Sequence, residues 1–480
     1  MNRTRRQFGG AAAGALLGLA GAPPGTAAHA SEGPRRANAF DGDFIWGAAT
    51  SAFQIEGAAR EAGRGESIWD SFVRLPGKIR GGVTAEIASD SYRRTGEDIA
   101  AMRYLGLGGY RFSMAWPRIF PNGRGKPNAD GLDHYRRFVD ALLEAGIEPF
   151  CTLYHWDLPQ ALEDKGGWLN RDTALRFADY AAAVVCHLPD ITKYFTLNET
   201  VSFTEGGYGN GLNAPGRALG ARGTALASHV AMLAHGRAVR AMRAEARGAL
   251  AVGSAEVAAV YIPVTEDTEH VDAARRATII GNAPYVTAVQ TGAYPEAYLE
   301  SLGADVPEIR SGDMEIVGTP TDMQGLNIYY GQTVRAADNR AGFAVVPRPA
   351  SYPRMQMGWA TIDPEAIYWG TRLCAEAFGT RAIYITENGA ACADAASDDG
   401  KIYDTDRVMF LRAYLGQLQR AVADGVPVKG YFHWTLIDNF EWLEGYEKRF
   451  GLFHVDYATQ RRTPKLSADV YRAIIANRGL

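Results

Sequence analysis

Cysteine is scarce in this chain, with 4 residues among 480, at positions 151, 186, 374 and 392. They stand far apart and form none of the Cys-x-x-Cys or Cys/His patterns that mark metal and redox sites. This scarcity argues against a disulfide-dense scaffold and against a cysteine-based metal centre. Because cysteine is among the most buried residue types, we expect most of the four to be buried free thiols, with later oxidation of an exposed pair as the alternative.

A strong excess of either charge is also absent. The chain has 50 Lys and Arg against 54 Asp and Glu, which gives a net charge of -4. Nucleic acid and an anionic membrane surface are therefore not expected as partners, because both attract basic proteins. After the first 30 residues no apolar run approaches the length of about 20 residues that spans a bilayer, so we expect the mature protein to be soluble and free of the membrane.

The first 30 residues differ from the rest, since they contain three Arg and neither Asp nor Glu. Residues 4–9 read TRRQFG, residues 10–21 are small and apolar, and residues 28–30 (AHA) form an A-x-A-like cleavage site. This order resembles a twin-arginine signal peptide, which implies recognition by the twin-arginine export machinery. We therefore expect cleavage after Ala30 and a periplasmic or extracellular protein, with a flexible basic tail as the alternative.

Short apolar segments alternate with longer helical ones over residues 41–480, and no linker divides them. The predicted strands are 44–49, 110–116, 149–155, 194–198, 251–257, 325–329, 382–386 and 428–435. Predicted helices such as 133–145, 174–186, 224–246 and 406–423 repeat apolar residues every three to four positions. Eight β/α units predict a single α/β domain, a (β/α)8 TIM barrel with extended βα loops, preceded by a short flexible segment at 31–40.

Chemically capable side chains stand where six of the eight predicted strands end. They are Gln54, His155, Trp156, Asn198, Glu199, Asn327, Tyr329, Glu387 and Trp434. In a parallel barrel the carboxyl ends of the strands form the mouth in which active sites lie. Polar residues at exposed strand ends are ordinary one at a time, but six of eight together indicate a functional site.

Two of these residues, Glu199 and Glu387, follow the fourth and seventh predicted strands and should face each other across the mouth. A pair of carboxylates is the minimum for glycoside hydrolysis, since one protonates the leaving oxygen and the other stabilises positive charge at the anomeric carbon. A separation of about 5–5.5 Å gives a retaining enzyme and one of roughly 6.5–9.5 Å an inverting enzyme. Spacing in sequence leaves this choice open.

Six segments in order resemble glycoside hydrolase family 1, the β-glucosidase family: 44–57, 110–113, 152–159, 196–199, 385–389 and 438–442. The resemblance implies a (β/α)8 barrel and a retaining double displacement without metal or organic cofactor. It makes Glu387, in ITENG, the nucleophile that forms a covalent glycosyl-enzyme. It makes Glu199, in TLNE, the acid that protonates the leaving oxygen and then the base that activates water.

The same resemblance assigns the other site residues. Tyr329 and Arg111 would lie beside Glu387 and keep it ionised. The sugar would be held by the side chains of Gln54, His155, Trp156, Asn198, Asn327, Tyr329, Glu441, Trp434, Trp442 and Phe450. Among these, Glu441 would accept hydrogen bonds from free sugar hydroxyls and repel a 6-phosphate, which favours glucosides, with fucosides or galactosides as further substrates.

One departure from the family pattern is Thr200, which stands where the family has Pro and so supplies a backbone N–H next to Glu199. The expected function is hydrolysis of terminal non-reducing β-D-glucosyl residues from short β-glucosides. Two alternatives remain: a non-catalytic sugar-binding descendant of the same barrel, and a transglucosylase that passes the glucosyl group to an alcohol. The preferred aglycone and the oligomeric state stay open.

Overall fold

The computed structural model describes residues 40–480. The predicted signal peptide at 1–30 and all but the last residue of the predicted flexible segment at 31–40 lie outside the described residues. Phe40 is buried, and its backbone N–H donates a hydrogen bond to the carbonyl of Arg478 at 2.9 Å. The packed part of the chain thus includes the last residue of that segment.

The described residues contain thirteen strands, eight of which are parallel and close a central barrel. The strands are β1 (Ile45–Ala49), β2 (Gly109–Ser113), β3 (Glu148–Tyr154), β4 (Lys193–Asn198), β5 (Ala251–Val257), β6 (Tyr261–Pro263), β7 (Gln324–Asn327), β8 (Gln332–Ala336), β9 (Phe343–Val345), β10 (Ile383–Asn388), β11 (Val428–Trp434), β12 (Phe453–Asp456) and β13 (Arg461–Pro464). The barrel order is β1-β11-β10-β7-β5-β4-β3-β2. Strands β6, β8 and β9 form a small second sheet, and β12 pairs with β13.

Helices lie around the barrel and within the connections between its strands. The α-helices are α1 (Ala52–Ile55), α2 (Ile68–Phe72), α3 (Thr95–Leu105), α4 (Trp116–Ile119), α5 (Ala129–Glu144), α6 (Gln160–Glu163), α7 (Asp172–His187), α8 (Thr200–Thr204), α9 (Gly220–Glu245), α10 (Thr268–Gly281), α11 (Ala288–Thr291), α12 (Glu296–Leu302), α13 (Asp313–Val317), α14 (Glu365–Phe378), α15 (Thr405–Ala423) and α16 (Leu466–Asn477). Short 3-10 helices lie at Arg80–Gly82, Gly167–Leu169, Gly303–Asp305 and Trp442–Glu444, and π-helical turns at Glu205–Gly209 and Ala283–Thr287.

Aromatic rings fill the interior of the barrel below the site. The ring of Phe150 on β3 lies 4.8 Å from that of Phe432 on β11 and 5.4 Å from that of Tyr384 on β10. Gly47 on β1 makes room for this cluster, because a Cβ there would lie 2.4 Å from the Phe432 ring. The barrel is therefore a packed core rather than a pore, and a ligand can enter only at its mouth.

Two of the outer helices, α7 and α15, each bury one apolar stripe. In α7 the buried residues Phe177, Ala181 and Val184 recur at helical spacing, and α15 buries Leu411, Leu415 and Leu418 in the same way. This period differs from the nearly continuous apolar runs of the barrel strands, which are covered on both faces. Because the two hydrophobic patterns differ, strands and helices can be distinguished in the sequence.

The structure confirms the predicted (β/α)8 barrel and all eight predicted strands: the bounds of 251–257 agree with those of β5, and the others differ by up to three residues. The prediction of 110–116 is too long, because Trp116 begins α4 and Pro117 cannot donate to a strand ladder. The four cysteines are free, three of them buried and Cys186 partly exposed. None of the helices in residues 40–480 is long and apolar enough to cross a membrane.

Candidate active site

The two predicted catalytic carboxyl groups face one cavity of ≈ 530 Å³ at the mouth of the barrel. Glu199 follows the last residue of β4, and Glu387 is the last residue but one of β10. Both are buried, with 8% and 3% of their surface exposed. The fold thus brings together two side chains that are far apart in sequence, at the place where parallel strands end.

Asn327, the last residue of β7, forms hydrogen bonds with residues at the ends of both β4 and β10. Its Nδ2 donates to Oε1 of Glu199 at 2.9 Å and to Oδ1 of Asn198 at 3.1 Å. Its Oδ1 accepts a hydrogen bond from the hydroxyl of Thr386 at 2.7 Å, one residue before Glu387. One amide therefore fixes the position of Glu199 relative to the strand that carries the second carboxylate.

Glu387 has a cation and a phenol as direct partners. Nη1 of Arg111 donates to its Oε1 at 2.7 Å, and the Tyr329 hydroxyl donates to its Oε2 at 2.9 Å. Arg111 is buried, and its remaining donors bind the side chains of Thr152 and Asn198. Burial raises the pKa of Glu387, but the Arg111 charge and these hydrogen bonds act in the opposite direction and favour the carboxylate.

Glu199 has only neutral partners. Its Oε2 accepts from the Ser202 hydroxyl at 3.0 Å and its Oε1 from Asn327, and no Lys or Arg forms an ion pair with it in residues 40–480. Burial, followed by the negative charge of Glu387, raises the pKa of Glu199 to about 7. The two carboxyl groups therefore differ in their surroundings: the pKa of Glu387 is raised by burial but opposed by a cation in direct contact, whereas Glu199, with its pKa raised to about 7, has no such cation.

Amide and imidazole groups continue the site toward β3. Nδ2 of Asn198 lies 3.1 Å from Nε2 of His155, and the indole N–H of Trp156 donates to the Asn198 carbonyl at 3.0 Å. The His155 ring is parallel to the indole of Trp434, with centroids 5.7 Å apart and an interplanar angle of 15°. These contacts hold one polar edge and one flat aromatic face toward the cavity.

Glu441 and its neighbour Trp442 form another part of the cavity lining. Nε2 of Gln54 donates to Oε2 of Glu441 at 3.2 Å, and burial together with the charges of Glu387 and Glu199 raises the pKa of Glu441 to about 8. The indole of Trp442 stacks on that of Trp156 with centroids 4.5 Å apart. A ring with hydroxyls on its edge and C–H groups on its face is the kind of ligand that such a lining suits.

Of the thirteen predicted site residues, ten line the cavity: His155, Trp156, Glu199, Asn327, Tyr329, Glu387, Trp434, Glu441, Trp442 and Phe450. The other three, Gln54, Arg111 and Asn198, lie directly behind it and donate or accept hydrogen bonds to lining residues. Each of the thirteen residues therefore lies either in the cavity lining or directly behind it. In residues 40–480 no group of three or more His, Cys, Asp or Glu side chains could hold a metal ion.

Several functional positions lie beyond what sequence reasoning found. Ser202 donates to Glu199, and an outer part of the cavity is lined by Tyr330, Met357, Trp359 and Leu443. Trp359 is 51% exposed, with its ring 6.0 Å from that of Tyr329. An exposed tryptophan in a loop gives no periodic signal, so only the structure could place it at the cavity entrance.

A carboxyl group paired with an arginine and a second one with a raised pKa, both at the mouth of a (β/α)8 barrel beside stacked indoles, are the features of a glycosidase. The family model described as Glycosyl hydrolase family 1 matches residues 36–480. The chain therefore belongs to glycosyl hydrolase family 1 and is a glycosidase.

Named relatives agree with this assignment. The chain is 41% identical over 445 residues to "Beta-glucosidase A" of Thermotoga maritima, with 92% of this chain and 98% of that protein covered. It is 40% identical over 462 residues to a bifunctional β-D-glucosidase/β-D-fucosidase of Bifidobacterium breve, with 91% and 98% covered. A solved β-glucosidase from Thermotoga maritima in complex with deoxynojirimycin superposes with a TM-score of 0.85 at 40% identity, covering 92% of this chain and 100% of that one.

Proposed function

We propose that this protein is a retaining β-glucosidase that hydrolyses terminal non-reducing β-D-glucosyl residues of short β-glucosides. The observation that carries the proposal is the asymmetry of the two carboxyl groups. Arg111 and Tyr329 favour the ionised form of Glu387 against the effect of burial, while Glu199, without a cation partner, has its pKa raised to about 7. A nucleophile must be ionised and a general acid must be protonated at the same pH, and the asymmetry of this pair favours both conditions.

In the first step Oε of Glu387 attacks the anomeric carbon while Glu199 transfers its proton to the leaving oxygen. The bond to the aglycone breaks, the aglycone leaves as an alcohol, and a covalent glycosyl-enzyme remains. Esterification of Glu387 removes its negative charge, which lowers the pKa of Glu199 and prepares it as a base. In the second step Glu199 takes a proton from water, the water oxygen attacks the anomeric carbon, and β-glucose is released with Glu387 free again.

The remaining side chains define a site for an uncharged hexose. Trp434 and Phe450 offer aromatic faces to the ring, and Asn198 and His155 offer polar edges for its hydroxyls. Glu199, Glu387 and Glu441 line the cavity, and none of its lining residues within 40–480 is Lys or Arg, so a 6-phosphate would meet no cation there and free glucosides fit better than 6-phosphoglucosides. Since the Bifidobacterium breve relative is named for both glucosidase and fucosidase activity, and a solved Thermotoga maritima β-glucosidase is in complex with a galacto-hydroximolactam, we include fucosides and galactosides as secondary substrates.

A panel of aryl β-glycosides assayed with the parent and with Glu387→Gly tests the proposal. The parent should release the phenol fastest from the glucoside. Glu387→Gly should be inactive alone and regain activity with azide, which replaces the missing nucleophile and gives an α-glucosyl azide. Binding of glucosides by a parent that hydrolyses none of them would instead identify a sugar-binding protein, and transfer to added alcohols exceeding hydrolysis in water would identify a transglucosylase.

We also propose that the protein is exported by the twin-arginine machinery and acts outside the cytoplasm. The proposal rests on the order of the basic, apolar and small-residue segments within residues 1–30. Replacing both arginines, Arg5→Lys and Arg6→Lys, should leave activity in the cytoplasmic fraction, whereas the parent should appear in the exported fraction with an N-terminus at Ser31. Equal export of the parent and the double variant would contradict the twin-arginine route.

A further inference from the structure

A further buried carboxyl group, that of Glu256 on β5, lies behind the acid Glu199 and takes no part in the chemistry described above. Only 1% of its surface is exposed. Its Oε2 accepts the backbone N–H of Thr200 at 2.8 Å, and its Oε1 accepts the hydroxyl of the same residue at 2.9 Å. Both oxygens of Glu256 are thus bound to the residue that follows Glu199 in the chain.

This carboxyl group has no cation to balance it, since neither Lys nor Arg pairs with it in the described residues 40–480. Burying a carboxyl group without a counter-ion costs stability unless its hydrogen bonds are satisfied. Thr200 supplies both of those bonds. A proline at that position, as in the family pattern, has neither an N–H nor a hydroxyl, so this pair of hydrogen bonds depends on the presence of threonine.

The backbone at Glu199 needs such support. Glu199 has φ 49° and ψ 64°, in the left-handed region that a residue other than glycine rarely adopts. A conformation of this kind persists only where the surroundings hold it in place. The N–H of Glu199 donates to the carbonyl of Ala255 at 2.8 Å, so two consecutive residues of β5, Ala255 and Glu256, hold two consecutive residues of the turn.

We propose that Glu256 is a positioning residue for the acid/base Glu199. Its carboxyl group fixes Thr200 and thereby the turn from which Glu199 projects, in place of the φ restriction that proline would impose. The inference rests on the proposed function, because it requires Glu199 to be the acid. It gives a role to the buried acidic side chain of β5 and to the threonine that follows Glu199.

The leaving group of the substrate separates positioning of the acid from general structural damage. A 2,4-dinitrophenolate leaves without protonation, whereas methoxide must be protonated as it leaves. A misplaced Glu199 therefore slows hydrolysis of methyl β-glucoside far more than that of 2,4-dinitrophenyl β-glucoside. A loosened barrel slows both to the same degree. The constant to compare is kcat/KM, because it reports the steps up to formation of the glycosyl-enzyme.

The test uses Glu256→Ala, Glu256→Gln and Thr200→Val, with Ser254→Ala as the matched control. Ser254 is buried on the same strand, and its hydroxyl has no hydrogen-bond partner among the described residues. Titration of active sites with 2,4-dinitrophenyl 2-deoxy-2-fluoro-β-glucoside corrects each rate for the fraction that is folded. Thr200→Val keeps the backbone N–H and removes the hydroxyl, so it provides a milder perturbation if Glu256→Ala folds poorly.

We expect Glu256→Ala to reduce kcat/KM at least tenfold more for methyl β-glucoside than for the dinitrophenyl substrate, because small displacements of a catalytic group are costly. Thr200→Val should show the same bias more weakly. Glu256→Gln, whose amide can still accept from the N–H and donate to the hydroxyl, should stay within about threefold of the parent on both substrates.

Equal losses on the two substrates, or no loss in Glu256→Ala, would overturn the inference while leaving the proposed function intact. A parent without activity on either substrate would refute the proposed function itself, and the inference with it. The double variant Glu256→Ala/Thr200→Pro gives an independent check. The factor by which kcat/KM for methyl β-glucoside falls in this double variant should be smaller than the product of the factors for Glu256→Ala and Thr200→Pro. The reason is that proline leaves no unsatisfied N–H where the carboxyl group has been removed.

Discussion

Replacing Glu387 with glutamine should lower the pKa of Glu199. The negative charge of Glu387 is the second cause, after burial, that raises this pKa to about 7. Two unit charges about 5 Å apart, the spacing typical of retaining glycosidases, interact by about 3 kcal/mol at an effective dielectric constant of about 20, which corresponds to about two pKa units. Arg111 offsets part of this interaction in the parent.

In Glu387→Gln the Arg111 charge loses its partner, so its remaining effect on Glu199 acts in the same direction. We therefore expect the pKa of Glu199 to fall by at least about one unit. The measurement is a 13C NMR titration of protein labelled at glutamate Cδ, with the Glu199 signal assigned by its absence in Glu199→Gln and in the double variant. A pKa that is unchanged, or higher, in Glu387→Gln would refute the reasoning that the two groups share one electrostatic site.

The other predictions follow from single contacts of the site. Arg111→Met removes the guanidinium 2.7 Å from Glu387 and should raise the pKa of Glu387, so the acidic limb of the pH dependence of kcat/KM should move upward; an unshifted limb would argue against this role. Glu199→Gln should raise the Tm more at pH 8 than at pH 5, because a carboxyl group whose pKa rises on folding from 4.5 to about 7 costs increasing stability as the pH rises through that range; calorimetry showing equal gains would contradict this. Glu441→Ser should lower kcat/KM for glucosides at least about 10²-fold and that for 6-phosphoglucosides less, which parallel assays with both substrates can check.

The barrel and most of its site could be predicted because each depends on a local signal. Segment 382–386 is an almost wholly apolar run, which is what a strand covered on both faces requires, and its residues 383–386 lie in β10. Strand ends converge at one mouth, so Glu199, Asn327 and Glu387 could be placed together without any knowledge of the loops. The small sheet of β6, β8 and β9 was not predicted, since its strands are only three to five residues long.

The arrangement of the polar groups could not be predicted, because it depends on register and side-chain direction. Gln54 matches a sugar-binding position, yet its amide is buried and shared among Glu441, Asn439 and the Phe440 carbonyl. The sequence predicts only that Glu256 belongs to strand 251–257. An acidic residue in that strand is the one signal of the two hydrogen bonds that Glu256 accepts from Thr200. Strand alternation does not reveal such a contact between neighbouring strands.

The central claim is that Glu387 forms the covalent intermediate of a retaining mechanism. Incubation with 2,4-dinitrophenyl 2-deoxy-2-fluoro-β-glucoside, followed by intact-mass measurement and peptide mapping, tests it most directly. The account predicts one fluoroglucosyl group per chain, attached to the peptide that contains Glu387 and absent in Glu387→Gln. A protein that turns over β-glucosides but forms no adduct, or carries the label on another residue, would contradict the account.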